Sequence, residues 1–205
     1  MQILQPFAGS IQRYFDEIAD PNRYRPVHCP QCEVQRPLTG HGFYRRTLVD
    51  AAFDGVIRVR RYLCRSCKRT VSLLPDFVLP WLRFSISVIA LFLAARLLSG
   101  LTLVAATRAA AQPGMPYQRG QFWIRRFQKQ APALSLALVP LAAPGHPRDP
   151  AADFVSRALR MLESIGWIAA HRFLLSQLRV HLLGWPAGLI PTGRRITLAA
   201  ACSAP

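Results

Sequence analysis

Cys29-Pro30-Gln31-Cys32 and Cys64-Arg65-Ser66-Cys67 decide how this 205-residue chain is read. The two Cys-x-x-Cys pairs are separated by 31 residues and together supply four thiolates. A structural zinc ion takes four ligands in a tetrahedron, with sulfur about 2.3 Å from the metal. Each short turn offers two sulfurs on one side, so two turns facing each other close a four-thiolate site at Cys29, Cys32, Cys64 and Cys67. The spacer exceeds the roughly 15–20 residues usual for this pattern, so its extra length must be ordered in some other way.

The spacer reads as two strands. After the turn-rich Arg36 to Gly42, the runs Phe43 to Val49 and Val56 to Leu63 have strand character, with Asp54-Gly55 as the turn signal between them. In the second run Ile57, Val59 and Leu63 alternate with Arg58, Arg60 and Tyr62, the period of two of a half-buried strand. Thr70 to Leu74 is a third run, ended by Pro75. Two thiolate turns joined by a small antiparallel sheet form a zinc-ribbon plan. So small a sheet has little core, and metal binding would supply folding free energy.

Other readings of the cysteines fit less well. Two disulfides would suit an oxidising compartment, but Met1 to Asp20 has no long apolar core and ends acidic, unlike a secretory signal. A redox pair of the thioredoxin kind opens a helix, whereas these pairs flank strands. His28 and His41 are near enough to be ligands, yet four cysteines already fill the coordination. Cys202, near the C-terminus, reads as a free thiol.

Lys and Arg number 26 against 10 Asp and Glu, a net charge of +16. That balance predicts a polyanionic partner, nucleic acid before membrane; the bland alternative is compositional bias toward Arg. The charge is uneven. Residues 81–140 carry seven basic side chains and no carboxylate, as suits a surface facing phosphates.

Taken in order, Ile3 to Ile18 fits a short amphipathic helix through Ile11, Tyr14, Phe15 and Ile18. With its basic linker this makes an N-terminal segment, 1–26, followed by the ribbon over 27–80. Ser85 is a candidate N-cap for a helix over Ile86 to Leu98, stopped by Ser99-Gly100. That helix is apolar nearly all round, but a membrane span needs about 20 such residues; Arg83, Arg96 and Gly100 cut this run short, so a buried core helix is expected. Leu101 to Ala111 is a second helix, Gln112 to Pro116 a breaker, and Tyr117 to Lys129 a third helix with Gly120, Trp123, Ile124 and Phe127 on one face. Residues 132–150 read as a linker, with a short helix at Leu134 to Val139, and 151–205 as C-terminal helices and a tail. In that last region Phe154, Leu159, Leu162, Ile165, Trp167, Ile168, Phe173, Leu174 and Leu178 are expected mostly inward. The fold class is therefore α+β: a small ribbon sheet followed by a mainly helical domain, its helix-turn-helix spanning 81–131.

A helix, a short turn and a second helix with a polar, Arg-rich face can place that second helix in a DNA major groove. Gln pairs bidentately with adenine and Arg with guanine, while Arg and Lys also hold phosphates. Gln118, Arg119 and Gln121 are the candidates for bases, and Arg125, Arg126 and Lys129 for the backbone. An ordinary helical bundle with a solvated basic face is the competing reading.

The order Cys-Pro-x-Cys, His41-Gly42-x-Tyr44-x-Arg46, a basic strand into Cys-x-x-Cys, Leu73-Leu74-Pro75 and then helices resembles the zinc-ribbon plus helix-turn-helix region of bacterial insertion-sequence transposases and short transposase-like proteins. Trp123 to Phe127 matches the Trp-x-x-Arg-Phe ending of that module's last helix, and the resemblance covers roughly residues 27–130. It implies binding to DNA ends; a separate transposase or a second copy of the chain is the expected protein partner. It does not imply catalysis here. Such transposases hold two Mg²⁺ ions with three spaced carboxylates on a sheet, whereas beyond residue 80 this chain has only Asp149, Asp153 and Glu163. Nor does the sequence show a Ser/His/Asp set or a phosphate-binding loop, and four thiolates leave zinc no open position for a substrate. The expectation is a non-enzymatic, cytoplasmic, zinc-dependent DNA-binding protein without a small-molecule substrate: an accessory, a regulator or a remnant of a mobile element. The alternative is a zinc-ribbon interaction module with no specific DNA site.

Overall fold

The computed structural model describes residues 2–7, 9–20, 22–142 and 153–185. Its architecture is α+β. Four strands form one sheet in the order β1-β4-β3-β2: β1 Gln2–Gln5, β2 Thr39–Asp50, β3 Phe53–Leu63 and β4 Thr70–Pro75. Among the described residues six α-helices accompany it: α1 Ile11–Ile18, α2 Ile86–Leu97, α3 Leu103–Ala109, α4 Tyr117–Ala137, α5 Phe154–Ile165 and α6 Trp167–Phe173.

The expected ribbon strands are present, with two adjustments. The β2–β3 hairpin turns at Ala51-Ala52, since Asp50 pairs with Phe53, so Asp54 and Gly55 lie inside β3. The predicted alternation holds at Ile57 and Val59 but ends there: Tyr62 is buried and Leu63 is not. Near the cysteine end the opposite face of the sheet also acquires a cover, so Tyr62, Val71, Leu73, Ile3 and Leu38 form an apolar cluster with Cys29 and Cys64.

The N-terminus departs from the sequence reading. Gln2–Gln5 is a strand pairing parallel to β4, and the helix is confined to Ile11–Ile18, where the Ser10 hydroxyl accepts from the Arg13 N–H. Ile3 packs on one face of the sheet and Leu4 on the other. A strand buried on both faces loses the alternation that would reveal it. Helix α1 covers the second face, burying Tyr14 and Ile18 against Ile57, Val59, Leu74 and Phe77, and the Tyr14 hydroxyl donates to the Arg58 carbonyl at 2.8 Å.

Helix α2 begins where expected. The Ser85 hydroxyl caps the Val88 N–H and donates to the Asp50 carboxylate at the hairpin tip. Ile86, Val88, Ile89, Phe92 and Leu93 are all buried while Leu91 is exposed; α2 is apolar over most of its circumference because α3, α4, α5 and α6 all pack against it. No helix among the described residues is long and apolar enough to cross a membrane.

Helix α4 does not stop at Lys129. It runs to Ala137, followed by a single turn at Val139–Leu141, where the sequence suggested a linker with its own short helix. Ala131, Leu134 and Leu138 continue the buried stripe of Trp123, Ile124 and Phe127. This burial outweighs the hydrogen bond lost at Pro132. Residues 143–150, the rest of that stretch, lie outside the described residues. In the last helices Gly166 takes φ +89° between α5 and α6, at the interruption expected there. Leu159, Leu162 and Leu174 point inward, while Phe154 and Leu178 are exposed.

Sheet and helices are tied together. The Val49 N–H donates to the Arg83 carbonyl at 2.7 Å, and the Ser85 N–H to the Val49 carbonyl at 2.9 Å. Wholly buried Asp76 at the end of β4 lies 2.8 Å from Arg172 Nε of α6 and accepts from the Phe7 N–H.

Candidate metal centre and basic surfaces

The two cysteine turns are copies of one backbone design. The Cys29 N–H donates to the Val34 carbonyl at 3.1 Å, and the Cys64 N–H donates to the Arg69 carbonyl at 2.9 Å, five residues ahead in each case. The residue after each pair, Glu33 or Lys68, adopts a left-handed backbone with φ +61° and +57°. Glycine would reach that conformation without penalty; neither position has one, so the left-handed step that follows each turn carries no signal in the sequence.

The four sulfurs converge, all within 4.8 Å of one another. Cys29 Sγ lies 3.8 Å from Cys67 Sγ, and Cys32 Sγ lies 3.7 Å from Cys64 Sγ. A tetrahedron whose corners lie about 2.3 Å from its centre has edges of about 3.8 Å. A disulfide needs about 2.05 Å, so the geometry suits one shared cation and not two bridges. The cluster contains the four cysteines and neither His28 nor His41.

The surroundings push the thiols apart. Backbone N–H groups, that of Cys67 foremost and then that of Ser66, draw the Cys64 thiol down to about 6. Burial pushes Cys29 up to about 12 and raises Cys67. A divalent cation compensates the buried negative charge that opposes ionisation, since thiolates are its ligands. Zinc fits this donor set, and four sulfur ligands leave a closed, structural site.

The candidate DNA-contacting residues all lie on α4, but not in equivalent settings. Gln118, Arg119, Arg125 and Lys129 are exposed. Gln121 is half-buried and donates to the Tyr117 hydroxyl at 3.1 Å. Arg126 turns toward the protein: its Nε donates to the Leu183 carbonyl at 2.6 Å, and one terminal nitrogen donates to those of Gly184 and Trp185. It closes the chain's last described turn onto α4. Beside it, Trp81, Phe122, His181 and Leu183 line a cleft of about 230 Å³. Of the carboxylates weighed for catalysis, Asp153 caps α5 through the Val155 and Ser156 N–H groups and Glu163 lies on α5, while Asp149, like Cys202, falls outside the described residues.

The sequence reading missed a second basic surface. In the β2–β3 register Arg45 faces Arg58 and Phe43 faces Arg60, placing three guanidinium groups on one side of the hairpin. The signal was present in the alternation Arg58-x-Arg60 opposite Phe43-x-Arg45, but it needed the register to be visible.

Residues 29–109 match the family model described as a domain of unknown function (DUF6431). No curated protein and no solved structure matches the chain. The family match spans the metal centre, the hairpin, α2 and α3, and ends before α4.

Proposed function

We propose that this protein is a zinc-stabilised, non-enzymatic DNA-binding protein of a reducing cytoplasm, acting as a transposase-like accessory or regulator beside a separate transposase or a second copy of itself. The four cysteines would hold one Zn²⁺, whose contribution is to cross-link the two turns at the end of the sheet. The observation that carries the reading is the uncompensated basic face of α4. Arg119, Arg125 and Lys129 are exposed, make no ion pair among the described residues, and lie in a segment without any carboxylate. An isolated like-charged face gains nothing within the fold, whereas phosphates reward it through counterion release.

The roles separate by position. Gln118 and Arg119, in the first turn of α4, would meet base edges; Arg125 and Lys129, farther along, would hold the phosphate backbone. In a titration with a duplex taken from around its own gene, Arg125→Ala with Lys129→Ala should lower the salt slope by about 1.8, at roughly 0.9 per phosphate contact. Arg119→Ala should reduce the preference for that duplex over random sequence. Unchanged slope and preference would remove α4 from any DNA interface.

A further inference from the structure

The outer face of the β2–β3 hairpin carries Arg45, Arg58 and Arg60 around Phe43. The Arg58 guanidinium lies 4.1 Å from the Phe43 ring centroid, and that of Arg60 lies 4.6 Å away. Arg60 also approaches the Tyr62 ring at 5.6 Å. Arg45 and Arg58 are exposed and sit directly opposite each other in the ladder. Like charges in that relation destabilise a sheet. No ion pair joins any of the three to a carboxylate among the described residues. Arg60 is the most engaged of the three, through its hydrogen bond with Tyr62, whereas Arg46 donates to the Leu79 and Leu82 carbonyls and Arg83 lies 3.8 Å from Asp54.

We propose that this face is a second DNA-contacting surface, which grips the phosphate backbone of duplex DNA. The inference rests on the DNA-binding reading but concerns a surface which that reading does not use. Three features select the partner. The exposed Arg58 guanidinium, held against the Phe43 ring, keeps its edge donors free for bidentate contact with phosphate oxygens, while the Nε of Arg60 is buried. Arg58 and Arg60 both occupy the Phe43 ring, so that ring is not a stacking platform for unpaired bases. Val56 is the one large apolar side chain exposed on the hairpin, too little to anchor the face in a lipid surface.

The test uses the zinc-loaded full chain and a labelled random-sequence duplex over a range of salt concentrations. Arg45→Gln with Arg58→Gln leaves Arg60 on its rings and removes the like-charged pair. The slope of log affinity against log salt should fall by about 1.8, while thermal stability is unchanged or slightly higher. Arg58→Lys should restore about half of the lost slope. If the slope stays at the wild-type value while Arg125→Ala with Lys129→Ala lowers it, the hairpin proposal is wrong and the α4 reading survives. If neither pair alters it, both fail. Vesicles of phosphatidylcholine and phosphatidylserine in equal parts provide the other arm: a hairpin variant that loses vesicle binding but keeps the DNA slope makes this a lipid-facing surface and overturns the proposal.

Discussion

Substituting Gly120 with alanine tests how α4, and with it the basic face, is seated. In an exposed helix the change stabilises by about 1 kcal/mol, because glycine is a poor helix former. Here the added Cβ would lie 2.8 Å from Phe92 Cζ, 3.3 Å from Phe92 Cε2 and 3.5 Å from Leu103 Cδ2. Phe92 has little freedom to retreat: it is fully buried, and its ring meets that of Trp123 edge-on at 5.4 Å. Overpacking of this kind costs about 1–3 kcal/mol, which outweighs the helix gain and leaves a net loss of about 1 kcal/mol. Urea denaturation followed by Trp fluorescence measures it. The cause is isolated in a Phe92→Leu background, where the clash is relieved and Gly120→Ala should turn neutral or stabilising, a coupling of about 1–2 kcal/mol. A wild-type background stabilised by about 1 kcal/mol, with no coupling to Phe92, would refute the close approach of α4 to α2.

Other consequences follow from the same structure. Cys64→Ser, or removal of metal by a chelator, should release the metal end of the sheet while α2 to α6 stay folded, because the helical core is separate from the cluster around Cys29 and Tyr62; hydrogen exchange should rise near residues 28–38 and 64–71, and loss of all protection in α2 would contradict this. Arg126→Ala should destabilise by about 2 kcal/mol by leaving three carbonyls without their donor, measured by thermal melting, whereas Arg125→Ala should be neutral. Burial, foremost, holds His171 down to about 3 and His181 to about 4, so their stabilising contribution is full above pH 6.5 and is lost as pH falls toward those values. Burial raises Asp76 to about 6, which acts in the opposite sense and favours folding more as pH drops from 6 to 4. The histidines outweigh it, for a net loss on the order of 4 kcal/mol between pH 6.5 and 4; the midpoint of urea unfolding across that range checks it, and His171→Leu should flatten the curve.

The parts of the fold that were legible are those with local chemistry. Two Cys-x-x-Cys pairs announce their own convergence, because each short turn presents two thiols on one side and four converging thiols suit tetrahedral ligation. Ser85 before an apolar run marks the start of α2 by a hydrogen bond within one turn. What stayed hidden depends on distant partners. Gln2–Gln5 is a strand because β4, some 70 positions away, offers it an edge; in isolation Ile3, Leu4 and Phe7 suit a helix equally well. Arg125 and Arg126 are neighbours with the same side chain, yet one is solvated and the other bound, since only the second faces the carbonyls of Leu183 to Trp185. Gly120 lies on the apolar face of α4, and the ring that fills the space beside it, Phe92, comes from another helix. The Arg45–Arg58 pairing was likewise invisible without the hairpin register.

The most direct test of the DNA-binding claim is a titration of the zinc-loaded protein with two duplexes, one taken from around its own gene and one of random sequence, each at low and at physiological salt. The account predicts tighter binding to the first duplex and affinity for both that falls steeply with salt, with several phosphate contacts in the slope. Equal, feeble binding to both duplexes, insensitive to salt, would contradict it and leave the zinc-bound sheet as a module for contacting another protein.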